Sequence, residues 1–317
     1  MDRNFVGLTD VAPVVRASLD RDPAAVERLA GGSKKGVYRL TLAGGGTAVL
    51  YVWSAEENYW PAPASPEAVF ADASGLDLFQ AAHDTLAAVG VRTPRLLWAD
   101  DSHDIFPADV AVVEDVRGGT LEDRLARAPA PSTLDALRSA LALMASVRES
   151  RLGKVGKPDR SGRSCPQVVL DEACRDLADA ADRVPALAAR RAALADRLDA
   201  LAAEIQPRPA QALVHGELGP DHVLLDDADQ PVLTDIEGLA FFDAEWEHAF
   251  LEMRFGPAYP ALRLPDLDQA RLRLYRLARH LSLVAGPLRL LDGDFPDREF
   301  MLEIVHWHTG RALLHLD

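Results

Sequence analysis

Acidic and histidine side chains are concentrated in residues 211–247 of this 317-residue chain, where three short apolar runs alternate with acid-rich turns. The runs predict strands, and residues 226–230 predict the turn of a hairpin. Strands arranged in this way bring the polar groups at their ends close together. The groups that could do chemistry are Glu217, His222, Asp235 and Glu237. Carboxylates gathered with a histidine suit a divalent cation and a proton acceptor, so we predict a site of that kind here.

A glycine-rich loop lies near the start of the chain, directly before the first predicted strand. Its sequence is Gly31-Gly32-Ser33-Lys34-Lys35-Gly36. A loop of this composition leaves backbone N–H groups free to approach a phosphate. The candidate phosphate-binding residues are therefore Gly32, Ser33, Lys34, Lys35 and Gly36. The chain has only four lysines, which limits the positions of any catalytic lysine.

The remaining pattern divides the chain into a strand-rich half and a mainly helical half. In the first half, helices are predicted at 9–29 and 75–89, and strands at 37–42, 47–53, 95–98 and 110–113. In the second half, the main helices are predicted at 132–147, 168–205 with a break at Pro185, 244–256, 266–290 and 299–316. Residues 114–119, EDVRGG, break the pattern, and we interpret them as a hinge. The predicted lobes are therefore residues 1–113 and 120–317.

Composition excludes several classes of protein. The net charge of −15 argues against a nucleic-acid partner, although it is compatible with a cationic substrate. No apolar run approaches ~20 residues and no signal peptide is visible, so we expect no membrane partner. Cys165 and Cys174 are the only cysteines, and in a chain without a leader we expect them to be reduced. These features predict a cytoplasmic protein.

The motifs resemble those of the aminoglycoside phosphotransferase and choline kinase-like family, which has a protein-kinase-like fold. The family pattern is His-Gly-Asp, four residues, Asn, and then a strand that ends in Asp. The corresponding residues here are His215-Gly216-Glu217, His222 and Asp235. The run GGSKKGVYRL is similar to the nucleotide loop of the family. The resemblance implies a two-lobed α+β fold with a β-rich N-terminal lobe and a mainly helical C-terminal lobe.

The resemblance also implies a function. It implies an ATP- and Mg²⁺-dependent O-phosphotransferase that acts on a hydroxyl of a small molecule, such as an aminoglycoside or another natural product. Glu217 would be the catalytic residue that accepts or orients the hydroxyl proton. The metal ligands would be His222, Asp235 and Glu237. The nucleotide would also contact the hinge, at Glu114 and Val116.

Three positions depart from the family pattern. Glu217 replaces the catalytic Asp, which places the carboxylate one methylene further from the backbone. His222 replaces the Asn ligand. Tyr51 occupies the strand position at which the family has its phosphate-binding lysine. The third departure bears most directly on activity, because phosphoryl transfer needs a cation or N–H donors on the phosphates.

The absence of a lysine at position 51 has two interpretations. In the first, Lys34 or Lys35 reaches in from the glycine-rich loop, since a lysine side chain spans ~6 Å and such a loop covers the phosphates. In the second, both lysines form a solvated turn and nucleotide binding is weak or absent. Arg39 or Arg92 is a further source of positive charge. An acid on the helix at 75–89 should hold the lysine, and Asp77 is the nearest candidate.

Each site residue also has a structural alternative. Asp235 could cap a turn, His222 could hold its loop by hydrogen bonds, and Glu217 could bind a backbone N–H or an arginine. Acids of the second half could bind substrate amines or form a solvated face, namely Glu245, Glu247, Glu252, Asp292, Asp294 and Asp297. The alternative functions are a kinase-like protein that binds ligands without phosphoryl transfer, and a metal-dependent hydrolase that uses the acids and histidines of 215–235.

Overall fold

The computed structural model describes residues 3–30, 32–62, 69–71 and 73–316. Gly31 of the glycine-rich loop and most of the predicted loop at 54–74 beyond residue 62 lie outside the described residues. The chain forms two compact units. The first comprises residues 1–60, 72–136 and 221–238, and the second comprises residues 61–71, 137–220 and 239–317. These bounds differ from the predicted lobes, because the first unit continues past residue 119 and also includes the 221–238 segment. The hinge at 114–119 stays a prediction.

The first unit is built on a five-stranded antiparallel sheet with the order β1-β2-β3-β5-β4. Its elements in chain order are α1 (Leu8–Leu19), β1 (Pro23–Arg28), β2 (Gly36–Leu42), β3 (Thr47–Trp53), α2 (Leu76–Val89), β4 (Leu96–Asp100), β5 (Asp109–Glu114), α3 (Leu121–Arg127), the start of α4 (Pro131–Ser146), and the hairpin β10 (Val223–Leu225) with β11 (Pro231–Leu233). The strand-rich character predicted for the N-terminal half is confirmed.

Hydrophobic alternation determines how the sheet packs. In β2 every second residue is buried, including Tyr38 and Leu40, whereas the central strand β3 is buried along most of its length. Apolar residues of α1 cover one face of the sheet and complete its core. Complete burial of a side chain such as Leu40 or Leu50 contributes about 1.5–3 kcal/mol to folding.

The predicted helix at 9–29 is only partly correct. Helix α1 ends at Leu19, and Asp20 adopts a left-handed conformation with φ of 52° as its C-cap. Residues Pro23–Arg28 form the edge strand β1 instead, which pairs with β2. Proline is tolerated at the first position of an edge strand, whereas its missing N–H and its ring disfavour a helix interior. The helical period predicted for the residues after Pro23 is therefore wrong.

The second unit is mainly helical, as predicted, with one small five-stranded sheet of order β6-β9-β12-β7-β8. Its elements are the rest of α4, β6 (Arg148–Glu149), β7 (Gly153–Lys154), β8 (Lys157–Pro158), α5 (Cys165–Ala181), α6 (Pro185–Ala188), α7 (Arg191–Ala203), β9 (Gln211–Val214), β12 (Ala240–Phe242), α8 (Ala244–Phe255), α9 (Gln269–Leu291) and α10 (Arg298–Leu313). Helix α9 is buried on several sides and runs through the core of this unit. None of the helices in the described residues has the length and hydropathy required to cross a bilayer.

Candidate active site

The β10–β11 hairpin of the first unit positions the predicted metal ligands. His222 immediately precedes β10, and Asp235 follows β11 after one residue. The main-chain N–H and the hydroxyl of Thr234 both donate to the carbonyl of His222, at 3.0 and 3.1 Å, which ties the two ends of the hairpin together. Asp235 has a φ of 56°, a conformation uncommon for residues other than glycine. A one-turn 3-10 helix then places Glu237 on the same side.

Lys35 of the glycine-rich loop joins this cluster. Its Nζ lies 2.8 Å from Asp235 Oδ1 and 2.6 Å from Glu237 Oε1. The side chains of Lys35 and Glu237 are buried, with exposures of 9% and 3%, whereas the Asp235 side chain is 47% exposed. The structure therefore brings together a loop lysine and two predicted ligands that lie 200 and 202 residues away along the chain.

The charges of the cluster stabilise one another. Burial alone would lower the pKa of Lys35, but the carboxylates of Asp235 and Glu237 outweigh it and raise that pKa above its usual value. The positive charge of Lys35 is the main reason that the pKa of Asp235 lies well below its usual range. Lys35 and Asp235 are therefore both charged at neutral pH. The buried ammonium group of Lys35 is stable because it has acidic partners.

Tyr51 occupies the strand position at which the family has its lysine, and its ring faces Lys35. The Nζ of Lys35 lies 5.3 Å from the centroid of the Tyr51 ring. The ring packs edge-on against Phe79 of α2, with centroids 5.5 Å apart, and against Trp53. The indole N–H of Trp53 donates to Glu237 Oε1 at 3.2 Å. Burial raises the pKa of Tyr51 to about 12, so its ring is a neutral surface on which the ammonium rests.

The geometry of the glycine-rich loop separates the two lysines. The indole N–H of Trp60 donates to the hydroxyl of Ser33 at 3.0 Å, and Lys34 Nζ lies 5.5 Å from the Trp60 ring. Lys35 alone of the two contacts the carboxylates. Gly36 is required at the start of β2, because a Cβ atom there would lie 2.6 Å from Cδ of Glu57. A Cβ atom at Gly32 would lie 2.6 Å from the carbonyl oxygen of Lys35.

The other predicted sources of charge are engaged elsewhere. Arg39 pairs with Asp115 at 3.0 Å and Arg92 pairs with Glu114 at 3.1 Å. The expectation that Asp77 holds the lysine is wrong. Within the described residues Lys35 bonds to acids that follow β11, while Asp77 is exposed in the first turn of α2. Because the lysine comes from the loop and not from β3, its acidic partners lie far along the chain, after β11.

The predicted hinge begins at Glu114, the last residue of β5. The carboxylate of Glu114 accepts hydrogen bonds from Arg92 and from the main-chain N–H of Arg95. Burial opposes ionisation of this group, but these donors together hold its pKa below the usual value. The main-chain N–H of Glu114 donates to the carbonyl of Arg95 at 2.9 Å, so it is already used within the sheet. Val116 is buried. Nucleotide contact at both residues stays a prediction.

Glu217 lies in the second unit, on the turn that follows β9. Its side chain is exposed, whereas His215 is buried, so the acid and not the histidine is accessible to a substrate. Gly216 between them has a φ of 92°, which favours glycine. The N–H of Gly216 donates to Glu247 Oε2 at 2.6 Å, and the guanidinium of Arg279 donates to its carbonyl.

Sequence reasoning missed Arg279. It lies on α9 and is 5% exposed, and its guanidinium carbon stacks 3.6 Å from the centroid of Trp246 and 4.7 Å from that of Phe250. Burial lowers the pKa of Arg279 to about 10, and the negative charges of Glu217 and Glu247 partly offset this effect. An arginine within the apolar run LARHLSLVAG was the available signal, since arginine is almost never buried without a partner.

The acids proposed as amine ligands are mostly bound within the second unit. Glu245 pairs with both terminal nitrogens of Arg208, at 2.9 and 3.0 Å. The other pairs are Glu252 with Arg276, Asp292 with Arg183, and Asp297 with the N–H of Phe300 at the start of α10. These contacts support the structural alternative for the acids concerned. Asp243, the residue after β12, likewise accepts from Arg271 and Tyr275 in the core.

The side chains at the ends of the hairpin supply part of the oxygen ligands that a hard cation needs. Two carboxylates already surround the ammonium group of Lys35, and Glu237 Oε2 is buried with no hydrogen-bond partner in the described structure. His222 Nε2 lies 3.8 Å from Asp235 Oδ2. The described residues contain no ready group of three metal-ligating side chains. Mg²⁺ usually takes one or two carboxylates and completes its shell with waters and substrate phosphates, which matches what this cluster offers.

Solved structures show the same fold. A spectinomycin phosphotransferase, in complex with ADP and spectinomycin, superposes with a TM-score of 0.69 at 11% identity, with 98% of this chain and 99% of that chain covered. The aminoglycoside phosphotransferase APH(4)-Ia, in a ternary complex with AMP-PNP and hygromycin B, gives 0.66 at 16% identity over 97% and 98%. A putative fructosamine-3-kinase from Thermobifida fusca gives 0.59 at 21% identity over 97% and 100%.

Sequence comparison supplies the family. No curated protein matches the chain significantly. The profile of the phosphotransferase enzyme family, APH, matches residues 25–281, about four-fifths of the chain. That range includes the loop lysine, Glu217 and the whole β10–β11 hairpin. The fold and the resemblance identified from the motifs agree with it. The chain therefore belongs to the phosphotransferase enzyme family, a family of small-molecule kinases.

Proposed function

We propose that this protein is an ATP- and Mg²⁺-dependent O-phosphotransferase that acts on a hydroxyl of a small molecule. The observation that carries the proposal is the cluster of Lys35, Asp235 and Glu237. A kinase site needs a lysine for the phosphates and acids for a metal. Tyr51 stands on β3 where the family has its lysine, and Lys35 of the glycine-rich loop supplies an ammonium group to the acids instead.

The chain's own residues have distinct roles in this proposal. Lys35 binds phosphate oxygens, which compete with the carboxylates that it contacts in the structure. Asp235 and Glu237, with His222, would hold Mg²⁺, which when bound neutralises the charge that develops on the transferred phosphoryl group. Glu217 orients the acceptor hydroxyl and receives its proton. The Glu217 side chain is exposed, so an acceptor can reach it from solvent.

The acceptor class rests on similarity alone. The solved relatives were crystallised with aminocyclitol or aminoglycoside compounds, namely spectinomycin, hygromycin B and kanamycin. An aminoglycoside or another hydroxyl-rich natural product is therefore the first acceptor class to test. The net charge of −15 would favour the approach of a polycationic acceptor of this class.

The test combines binding and turnover. Wild-type protein should melt at a higher temperature with ATP and Mg²⁺ together, and it should phosphorylate at least one member of an acceptor panel. Lys35→Met should lower kcat/KM by on the order of 10²-fold, because a phosphate contact that operates in the transition state is lost. Lys34→Met should have a smaller effect, since Lys34 faces Trp60. Lys157→Met is the control for the loss of a positive charge outside the loop.

The alternatives give different outcomes. Nucleotide binding without transfer to any acceptor would support a binding protein that keeps only the fold. Turnover of a substrate without ATP would support a metal-dependent hydrolase. No response to ATP and Mg²⁺ in melting or turnover would overturn the nucleotide assignment itself. Equal losses in Lys34→Met and Lys35→Met would contradict the specific role of Lys35.

A further inference from the structure

The turn that carries Glu217 is held by two buried charges from neighbouring helices. The N–H of Gly216 donates to the carboxylate of Glu247 on α8, and the carbonyl of Gly216 accepts from the guanidinium of Arg279 on α9. The backbone groups on both sides of this glycine are therefore bound to side chains. A turn with a φ of 92° has no regular secondary structure to hold it, so these side chains fix its conformation.

The carbonyl of Gly216 belongs to the peptide group that leads into Glu217. The orientation of this peptide plane determines the direction in which the Glu217 side chain leaves the backbone. Arg279 cannot easily shift, because its guanidinium is packed against Trp246 and Phe250. A donor held on a core helix thus influences the orientation of an exposed acid.

The burial of these charges argues against a role in stability alone. Glu247 and Arg279 are 3% and 5% exposed, and removing charges from water to this extent is costly. Glu247 Oε1 and Arg279 Nε have no hydrogen-bond partner in the described part of the chain. The same two helices are also joined by Glu252 and Arg276, a direct ion pair at 2.6 Å that is partly exposed. Because that pair already links α8 to α9, the link between these helices does not require Glu247 and Arg279 to contact the main chain of the turn.

We propose that Arg279 and Glu247 are positioning residues that clamp Gly216 and so aim Glu217 at the acceptor hydroxyl. The proposal rests on the proposed function for its catalytic consequence, whereas the clamp itself is a property of the folded chain. The extra methylene of Glu217 gives this acid one more rotatable bond than an Asp would have. A backbone that is fixed on both sides of Gly216 reduces the number of directions the longer side chain can take.

The first experiment measures catalysis. Arg279→Met should lower kcat by roughly 10–100-fold while KM for ATP stays within about twofold, because misplacing a catalytic group by ~1 Å can cost 10²-fold. Arg279→Lys, which keeps a donor, should recover part of the lost rate. Arg276→Met is the matched control, since it removes an arginine from the same helix and breaks a pair with the same neighbouring helix. A loss of kcat in Arg276→Met equal to that in Arg279→Met would overturn the proposal.

The second experiment does not need activity. Hydrogen–deuterium exchange of a peptide covering residues 211–220 should be faster in Arg279→Met and in Glu247→Gln than in the wild type, with unchanged exchange in the remaining core. Unchanged exchange at 211–220 in both variants would overturn the clamp, even in an active enzyme. If the wild type transfers phosphate to no acceptor, the proposed function fails, and this exchange measurement still decides whether the clamp exists.

Discussion

Two acid-bearing turns of this protein use their charges in different ways. After β11, the acids Asp235 and Glu237 contact the ammonium group of Lys35, so charged side chains are paired with one another. In the turn after β9, the main chain of Gly216 is contacted by Glu247 of α8 and Arg279 of α9, so charged side chains bind the backbone. The difference teaches that local composition does not reveal which of these two kinds of contact a charged residue makes.

The largest expected effect tests the cluster of Lys35, Asp235 and Glu237. Asp235→Asn should reduce phosphoryl transfer by on the order of 10³-fold, because it removes both a proposed metal ligand and a partner of Lys35. The melting-temperature increase with ATP and Mg²⁺ should also disappear. Asp227→Asn, at an exposed position in the β10–β11 turn, is the control. Retention of activity in Asp235→Asn would show that the β10–β11 hairpin is not part of the active site.

The next effect tests whether Lys35 replaces the strand lysine. The double variant Lys35→Met with Tyr51→Lys returns a lysine to β3, beneath the present position of the ammonium group. We expect it to recover about tenfold of the activity lost in Lys35→Met, as measured by kcat/KM, since a cation again faces the phosphates. Circular dichroism should confirm folding, because Tyr51 is buried. A double variant no better than Lys35→Met would show that the two positions are not equivalent.

A smaller effect tests the fixed turn. Gly216→Ala forces a side chain into a conformation with φ of 92°, which costs about 1–2 kcal/mol. We expect kcat to fall on the order of tenfold as the turn relaxes and Glu217 moves. Gly45→Ala is a close control, since Gly45 has a φ of 99° and open space around it. Both variants should lose a similar amount of stability, and only the first should lose activity beyond the folded fraction.

The smallest effect concerns the anchorage of α9, on which Arg279 lies. His280, the next residue, has Nδ1 2.8 Å from Nδ1 of His308 on α10. Burial is the main cause that lowers the pKa of His280 to about 3 and that of His308 to about 4, and the charges of Arg311 and Arg254 add to it for His308. The folded pKa values lie below the usual value of about 6.5, so the unfolded chain binds more protons in between.

The sign of this pH dependence follows directly. The two neutral histidines contribute stability that is fully present above about pH 6.5, and that contribution is lost progressively as the pH falls from there through the folded pKa values of about 4 and about 3. The melting temperature should therefore decrease on acidification, and it should decrease less in His308→Gln than in the wild type. His306→Gln, on the exposed side of α10, is the control. Equal slopes in all three proteins would show that the histidine pair does not govern acid stability.

Much of the fold could be predicted from hydrophobic period alone. The strands β2 to β5 of the first unit and the helices α8, α9 and α10 agree with their predicted positions to within a few residues, because the spacing of buried apolar residues differs between strands and helices. The edge strand β1 was missed, since an edge strand is only half buried and its apolar spacing resembled that of the preceding helix. The residues that bear the family motifs could also be named, because Glu217 and Asp235 follow predicted strands and His222 directly precedes one.

The sequence by itself therefore determined the fold class, the family and the acids that could do chemistry, since these depend on local spacing. Tertiary structure alone decided which lysine approaches the acids, because Lys34 and Lys35 are adjacent and only the path of the loop separates them. It also decided that Lys35 bonds to acids 200 residues away and not to Asp77. It likewise decided that Arg279 contacts the carbonyl of Gly216, because a contact between a helix side chain and a distant backbone carbonyl leaves no trace in sequence spacing.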